Sequence, residues 1–180
     1  ALDLWYPSAL DPTNAPEDDF DVELVSGDFS DAYFHFRVHE EERKHCLSPG
    51  LTMLEVLLWV HMCFGIRAAP LIWCRFAAAV ARLVAGMFEQ HECLFQLYLD
   101  DPFLVVAGSR EMRRYIITLY FLTIRMLGIT MAWHKGSRGC QLVWIGVLFT
   151  LKTREGILEV TLPHKTVETL QNMAKLMADK

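Results

Sequence analysis

Apolar positions along the chain fall into β-type stretches and helical stretches, and their order predicts the fold. Val22 to Val38 reads as β-structure with a break at Asp28, and Phe34-His35-Phe36-Arg37-Val38-His39 alternates with period two. Ser48-Pro49-Gly50 reads as a turn, followed by a strand from Met53 to Met62. Pro70 opens a helix, as first-turn prolines do, with Ile72, Phe76, Ala79, Val80, Leu83 and Met87 inward. Leu94 to Leu97 and Phe103 to Val106 are two β-prone arms joined by a short polar tip. Ser109 caps a second helix carrying Ile116, Leu119, Tyr120, Thr123 and Leu127, closed by Gly128. Gln141 to Leu151 reads as one strand apolar on both faces, turned at Lys152-Thr153-Arg154-Glu155-Gly156 into Ile157 to Val160. Thr161 and Pro163 start a last helix with Val167, Leu170, Ala174 and Met177 inward. The expected architecture is α+β, a mostly antiparallel sheet backed by two helices.

Composition narrows the class. A hydrophobic fraction of 53% and a mean hydropathy of +0.22 are high for a free-standing domain of 180 residues, as expected of a core that other domains cover. The Ala at position 1 favours a fragment or a processed product. Leu51 to Cys74, the most apolar stretch, is interrupted by Glu55, His61, Arg67 and Pro70, so neither a membrane span nor a membrane partner is expected. Five cysteines without a Cys-x-x-Cys pair argue against zinc or a disulfide framework and for an intracellular setting, cytoplasm or nucleus. His35, His39 and His45 near Cys46 are read as the polar face of a strand. The net charge of −5 divides unevenly. Residues 1–42 hold 12 acids and one base, whereas residues 43–180 hold 16 bases and 10 acids, a balance that permits phosphate contact. Arg75, Arg82 and Glu89 form a stripe best read as a solvated helix face.

The candidate chemistry sits at the polar tip, Tyr98-Leu99-Asp100-Asp101. Two adjacent carboxylates between apolar strands repel each other and are costly to desolvate, a conflict that divalent cations remove. A third acid stands far upstream in Gly27-Asp28-Phe29-Ser30-Asp31-Ala32-Tyr33.

Together these blocks resemble the palm of a reverse transcriptase of the retrotransposon and retrovirus type, from about Asp28 to Gly146. Asp28-Phe29-Ser30-Asp31-Ala32-Tyr33-Phe34 resembles the family's first catalytic motif, and Tyr98-Leu99-Asp100-Asp101 its Tyr-x-Asp-Asp motif. Phe64-Gly65-Ile66-Arg67-Ala68-Ala69-Pro70, Ala132-Trp133-His134-Lys135-Gly136 and Trp144-Ile145-Gly146 resemble three further blocks in the family's order. The resemblance implies an RNA-directed DNA polymerase adding deoxynucleotides to a primer 3′ end on an RNA or DNA template. It implies two Mg²⁺ ions, replaceable by Mn²⁺, on Asp28, Asp100, Asp101 and the Phe29 carbonyl. Lys135 would bind phosphate or protonate pyrophosphate. Asp31 and Ala32 would face the triphosphate through their backbone, and Tyr33 would fill the space of a ribose 2′-hydroxyl, which counts against an RNA polymerase. Phe64 and Gly65 would border the incoming nucleotide, with Gly65 leaving room where a Cβ would intrude. Trp144, Ile145 and Gly146 would form the primer grip.

The resemblance divides the chain into residues 1–21, a loop or stub of a missing fingers region; residues 22–160, the palm; and residues 161–180, the start of a thumb helix. Two features depart from the family. No fingers block precedes Asp28, and Pro102 stands where a strand residue with an N–H is usual. The missing N–H would either face solvent or reshape the metal-binding turn. The rival expectation is an inactive palm remnant serving as a nucleic-acid-binding scaffold.

Overall fold

The computed structural model describes residues 22–52, 54–152 and 155–178. The expected stub at 1–21 lies outside the described residues.

Strand β1 (Val22–Ser26) is the centre of the main sheet, because its β-branched and leucine side chains can be buried on both faces. It pairs antiparallel with β5 (Asp101–Ala107) and β6 (Ser137–Gly139), and β4 (Cys93–Tyr98) completes the order β4-β5-β1-β6. The register places Val25 beside Leu104 and Leu24 beside Val105, so alternate residues serve two cores. On one face Val25, Leu104 and Val106 pack with helices α1 (Ala69–Ala85) and α2 (Arg110–Met126). On the other, Leu24 and Phe103 pack with Leu142, Trp144 and Phe149 of a second antiparallel sheet. That sheet runs β7 (Gln141–Trp144), β8 (Val147–Lys152) and β9 (Ile157–Thr161). A separate hairpin, β2 (Leu47–Pro49) with β3 (Val56–Leu58), precedes α1. Helix α3 (His164–Ala178) follows β9. The α+β architecture with antiparallel sheets and two backing helices is as the sequence predicts.

Four local expectations are corrected. The alternation at 34–39 is not a strand: Ala32–His35 is a 3₁₀ turn entered through Asp31 in the left-handed region, and only Arg37 bridges to His61. Polar Ser30 and Asp31 favour that turn over an extended run. The strand expected over Met53 to Met62 is only Val56–Leu58. Gln141 to Leu151 is a hairpin, because Ile145 (φ 43°) and Gly146 (φ 79°) both turn left-handed, as a type I′ turn requires.

The fourth correction concerns helix faces. Helix α1 buries Ala69, Trp73, Ala77, Val80 and Val84, while Ile72 and Leu83 are exposed. The helix is apolar nearly all round, so periodicity could not choose; burying the Trp73 ring against Phe29 and Phe36 did. In α3 the expected inward residues Leu170 and Met177 are exposed. The solvated stripe of Arg75, Arg82 and Glu89 is exposed as expected. Among the described residues, no helix is long and apolar enough to cross a membrane.

A buried ionic cluster went unread in the sequence. Glu23 on β1 is 4% exposed, and both its carboxylate oxygens accept from the Arg138 guanidinium. Arg113 of α2 approaches the same carboxylate at 3.5 Å and donates to the Gly108 carbonyl at 2.7 Å.

Candidate active site

The acid hairpin forms as its sequence predicts, with Tyr98 paired to Asp101 and Leu99 turning left-handed at φ 54°. The segment carrying Asp28 continues from β1 and runs beside that tip. Gly27 N–H donates to the Pro102 carbonyl at 3.0 Å, and Phe29 N–H to the Asp100 carbonyl at 2.8 Å. On the other side, the Asp28 carbonyl accepts from Ala132 N–H at 2.9 Å and Ser30 N–H donates to Thr130 at 2.8 Å. Asp28 is thus held between the acid hairpin and the segment leading to Lys135.

Lys135 donates from Nζ to Asp28 Oδ2 at 2.7 Å. Asp28, Asp100, Asp101 and Lys135 therefore share one end of the sheet. The electrostatics agree. Partial burial, then the Asp100 and Asp28 charges, push the Asp101 carboxyl above its ordinary value, and Lys135 only partly offsets them. The bond to Asp28 and the attraction of all three acids raise Lys135.

Three carboxylates face one ammonium, which leaves the cluster short of positive charge. Among the described residues, no three His, Cys, Asp or Glu side chains form a ready-made metal cage. The donor set nevertheless fits a hard divalent cation. Mg²⁺ is usually held by one or two carboxylates together with water and substrate phosphate rather than by an all-protein cage.

The remaining sequence candidates fall around this cluster unevenly. Phe29 and Ala32 are buried, and Asp31 is exposed at φ 52°. Tyr33 packs edge-on against Phe64, centroids 5.1 Å apart, and Phe64 is 82% exposed. Gly65 adopts φ 96° with nothing within 4 Å of where a Cβ would lie. The strain of a side chain there, and not a collision with the protein, is what excludes one. Phe64 and Gly65 also rim a cavity of about 630 Å³ that reaches Arg37, Trp59 and Arg67. Trp144 is half-buried, stacked on Phe103 at 4.8 Å, and its Nε1 donates to the Asp101 carbonyl at 3.1 Å. Core packing and proximity to the acid tip are combined in that one side chain.

Among the described residues, the non-glycine positions with positive φ are Asp31, Leu99 and Ile145. Each lies inside one of the blocks singled out from sequence. Such strain costs roughly 1–3 kcal/mol per residue and concentrates at functional sites.

Pro102 is not at a solvent-facing edge. Its carbonyl accepts from Gly27, so its nitrogen points toward the end of β1 and the reciprocal bond of that antiparallel pair cannot form. The ladder between β1 and β5 runs from Val22 to Ser26, so the proline lies just past its last pair.

Two side chains that support the site escaped sequence reasoning. His35 accepts from Thr130 N–H at Nε2, 3.1 Å away, so its Nδ1 carries the proton and faces the Asp31 and Ala32 carbonyls. That ring ties the 31–34 turn to the 130–132 segment. Trp73, on the second turn of α1, donates from Nε1 to the Leu99 carbonyl at 3.1 Å. Its position after Pro70 was the one available signal.

No family model matches the chain, and no curated protein sequence matches it. Solved structures do. A foamy viral protease-reverse transcriptase in complex with an RNA/DNA hybrid matches over 93% of this chain with a TM-score of 0.65 and 12% identity. A foamy viral protease-reverse transcriptase dRH in complex with double-stranded DNA matches over 83%, with a TM-score of 0.68 and 12% identity. The fold is reverse-transcriptase-like. The chain spans 20% and 24% of those two proteins, and at such identity the likeness speaks for the fold alone.

Proposed function

We propose that this chain is the palm, with the start of a thumb, of an RNA-directed DNA polymerase of a retroelement. It would extend a primer 3′ end with deoxynucleotides on an RNA or DNA template, with the rest of the fingers and thumb supplied by further parts of the same polyprotein. The observation that carries the reading is the convergence of Asp28, Asp100 and Asp101, with Lys135, at one end of a reverse-transcriptase-like sheet.

Asp28, Asp100, Asp101 and the Phe29 carbonyl would hold two Mg²⁺ ions, or Mn²⁺ in their place, whose chemistry when bound is to acidify the primer hydroxyl and neutralise the triphosphate. Lys135, charged and bonded to Asp28, would bind phosphate or protonate a departing pyrophosphate oxygen. Tyr33, braced by Phe64, would exclude a ribose 2′-hydroxyl. Asp31 and Ala32 would present backbone to the triphosphate, and Gly65 would border the same nucleotide. Trp144, Ile145 and Gly146 would seat the primer end.

Primer extension with wild type and Asp100→Asn, with and without Mg²⁺, and with deoxy- or ribonucleotides, tests this. Extension that requires Mg²⁺ and deoxynucleotides and falls at least about 10²-fold in Asp100→Asn is expected. Extension indifferent to Asp100→Asn would refute the assignment. The second reading, a nucleic-acid-binding remnant, draws on the Lys135 ammonium seated on Asp28, which already occupies one oxygen of that carboxylate. It predicts template-primer binding with no extension, even when the flanking polyprotein segments are supplied.

A further inference from the structure

We infer that Trp73 is a positioning residue for the acid pair, working with Trp144 to pin the hairpin tip by its backbone. The inference rests on the reading of Asp28, Asp100 and Asp101 as the reaction centre.

Three consecutive carbonyls at the tip are each taken by a donor from a different part of the fold. Leu99 accepts from Trp73 Nε1 at 3.1 Å, Asp100 from Phe29 N–H at 2.8 Å, and Asp101 from Trp144 Nε1 at 3.1 Å. A two-residue turn between strands is otherwise free to rock, and its first residue, Leu99, is held at φ 54° against its own preference. Fixing the peptide planes on either side of Asp100 fixes where both carboxylates leave the backbone.

Trp73 does more than donate one bond. It is 1% exposed, and its ring meets Phe29 at 6.1 Å, His35 at 6.1 Å and Phe36 at 6.2 Å. Phe29 follows Asp28 directly, and His35 holds Thr130 on the way to Lys135. One indole thus touches the Asp28 segment and the acid tip directly, and meets the segment leading to Lys135 through His35. Phenylalanine would fill much of the same space, but it would leave the Leu99 carbonyl without its donor.

The test uses the 180-residue chain carrying Trp73→Phe, Trp144→Phe, or benzothienylalanine at position 73, an isostere of the indole without its N–H. Val84→Ala is the control, a buried α1 residue about 16 Å along the helix from Trp73. Two readouts besides activity are taken: amide exchange at Leu99 to Asp101, and Mn²⁺ affinity from the electron paramagnetic resonance signal of the free ion. The expected result at position 73 is exchange at the tip at least about tenfold faster, and Mn²⁺ binding about tenfold weaker. Val84→Ala should lower the melting temperature while moving neither. Unchanged tip exchange in both position-73 variants, or equal changes in Val84→Ala, would overturn the inference. If wild type binds no Mn²⁺, the metal reading fails by itself, and tip exchange still decides whether Trp73 positions the hairpin.

Discussion

Adding Mg²⁺ or Mn²⁺ to the chain is expected to raise its melting temperature, and Asp100→Asn is expected to remove the rise. The perturbation acts on a cluster in which three carboxylates meet one ammonium, and in which partial burial, then the Asp100 and Asp28 charges, raise the Asp101 carboxyl. A ligand that binds only the folded state, at ten times its Kd, stabilises it by about 1.4 kcal/mol. For a chain of this length that corresponds to an increase of about 3–6 °C. Asp100→Asn deletes one oxygen donor and one like charge. Its melting temperature without metal should therefore equal or exceed that of wild type, while the increment on adding metal vanishes.

The pH dependence has a definite sign. Because Asp101 is raised, the native state takes up its proton more readily than the unfolded chain, whose value is near 3.8. Its contribution is fully present below that value and is lost as pH rises through the native one. Metal-free wild type should therefore lose stability from this group as the pH rises from acidic toward neutral, and Asp101→Asn should flatten that slope. Melting followed by circular dichroism, with and without the cation across that range, provides the measurement. An equal metal-induced rise in wild type and Asp100→Asn would refute the reasoning, since the cation would then be binding elsewhere.

Two further predictions concern the support of the site. Glu23→Gln leaves the Arg138 and Arg113 guanidinium groups beside a neutral amide in a nearly dry setting, so it should cost about 3–5 kcal/mol in urea unfolding. A loss under about 1 kcal/mol would mean that water relieves the cluster. Tyr120 is fully buried and, among the described residues, its hydroxyl finds no hydrogen-bond partner, so Tyr120→Phe should stabilise the chain by about 1 kcal/mol, and a loss of that size would reveal a hidden acceptor.

Local chemistry determined a good part of this protein from sequence alone. Apolar arms around Asp100 and Asp101 can only pair as a hairpin, Ser109 caps α2 through Met112 N–H at 3.3 Å, and Pro70 starts α1; each depends on near neighbours in the chain. The three acids were legible because nothing in packing asks for them. Tertiary structure decided the rest, wherever the relevant partner lies far along the chain. Helix α1 offers apolar side chains all round, so the sheet and the acid tip chose Trp73 as its buried residue. The Gln141 to Leu151 run is apolar throughout, and a left-handed Ile145, which no local preference favours, broke it into a hairpin. Glu23 looks like a surface acid until Arg138, 115 residues later, closes on it. Periodicity records what a segment can bury; which of those faces is buried depends on what the rest of the fold sets against it.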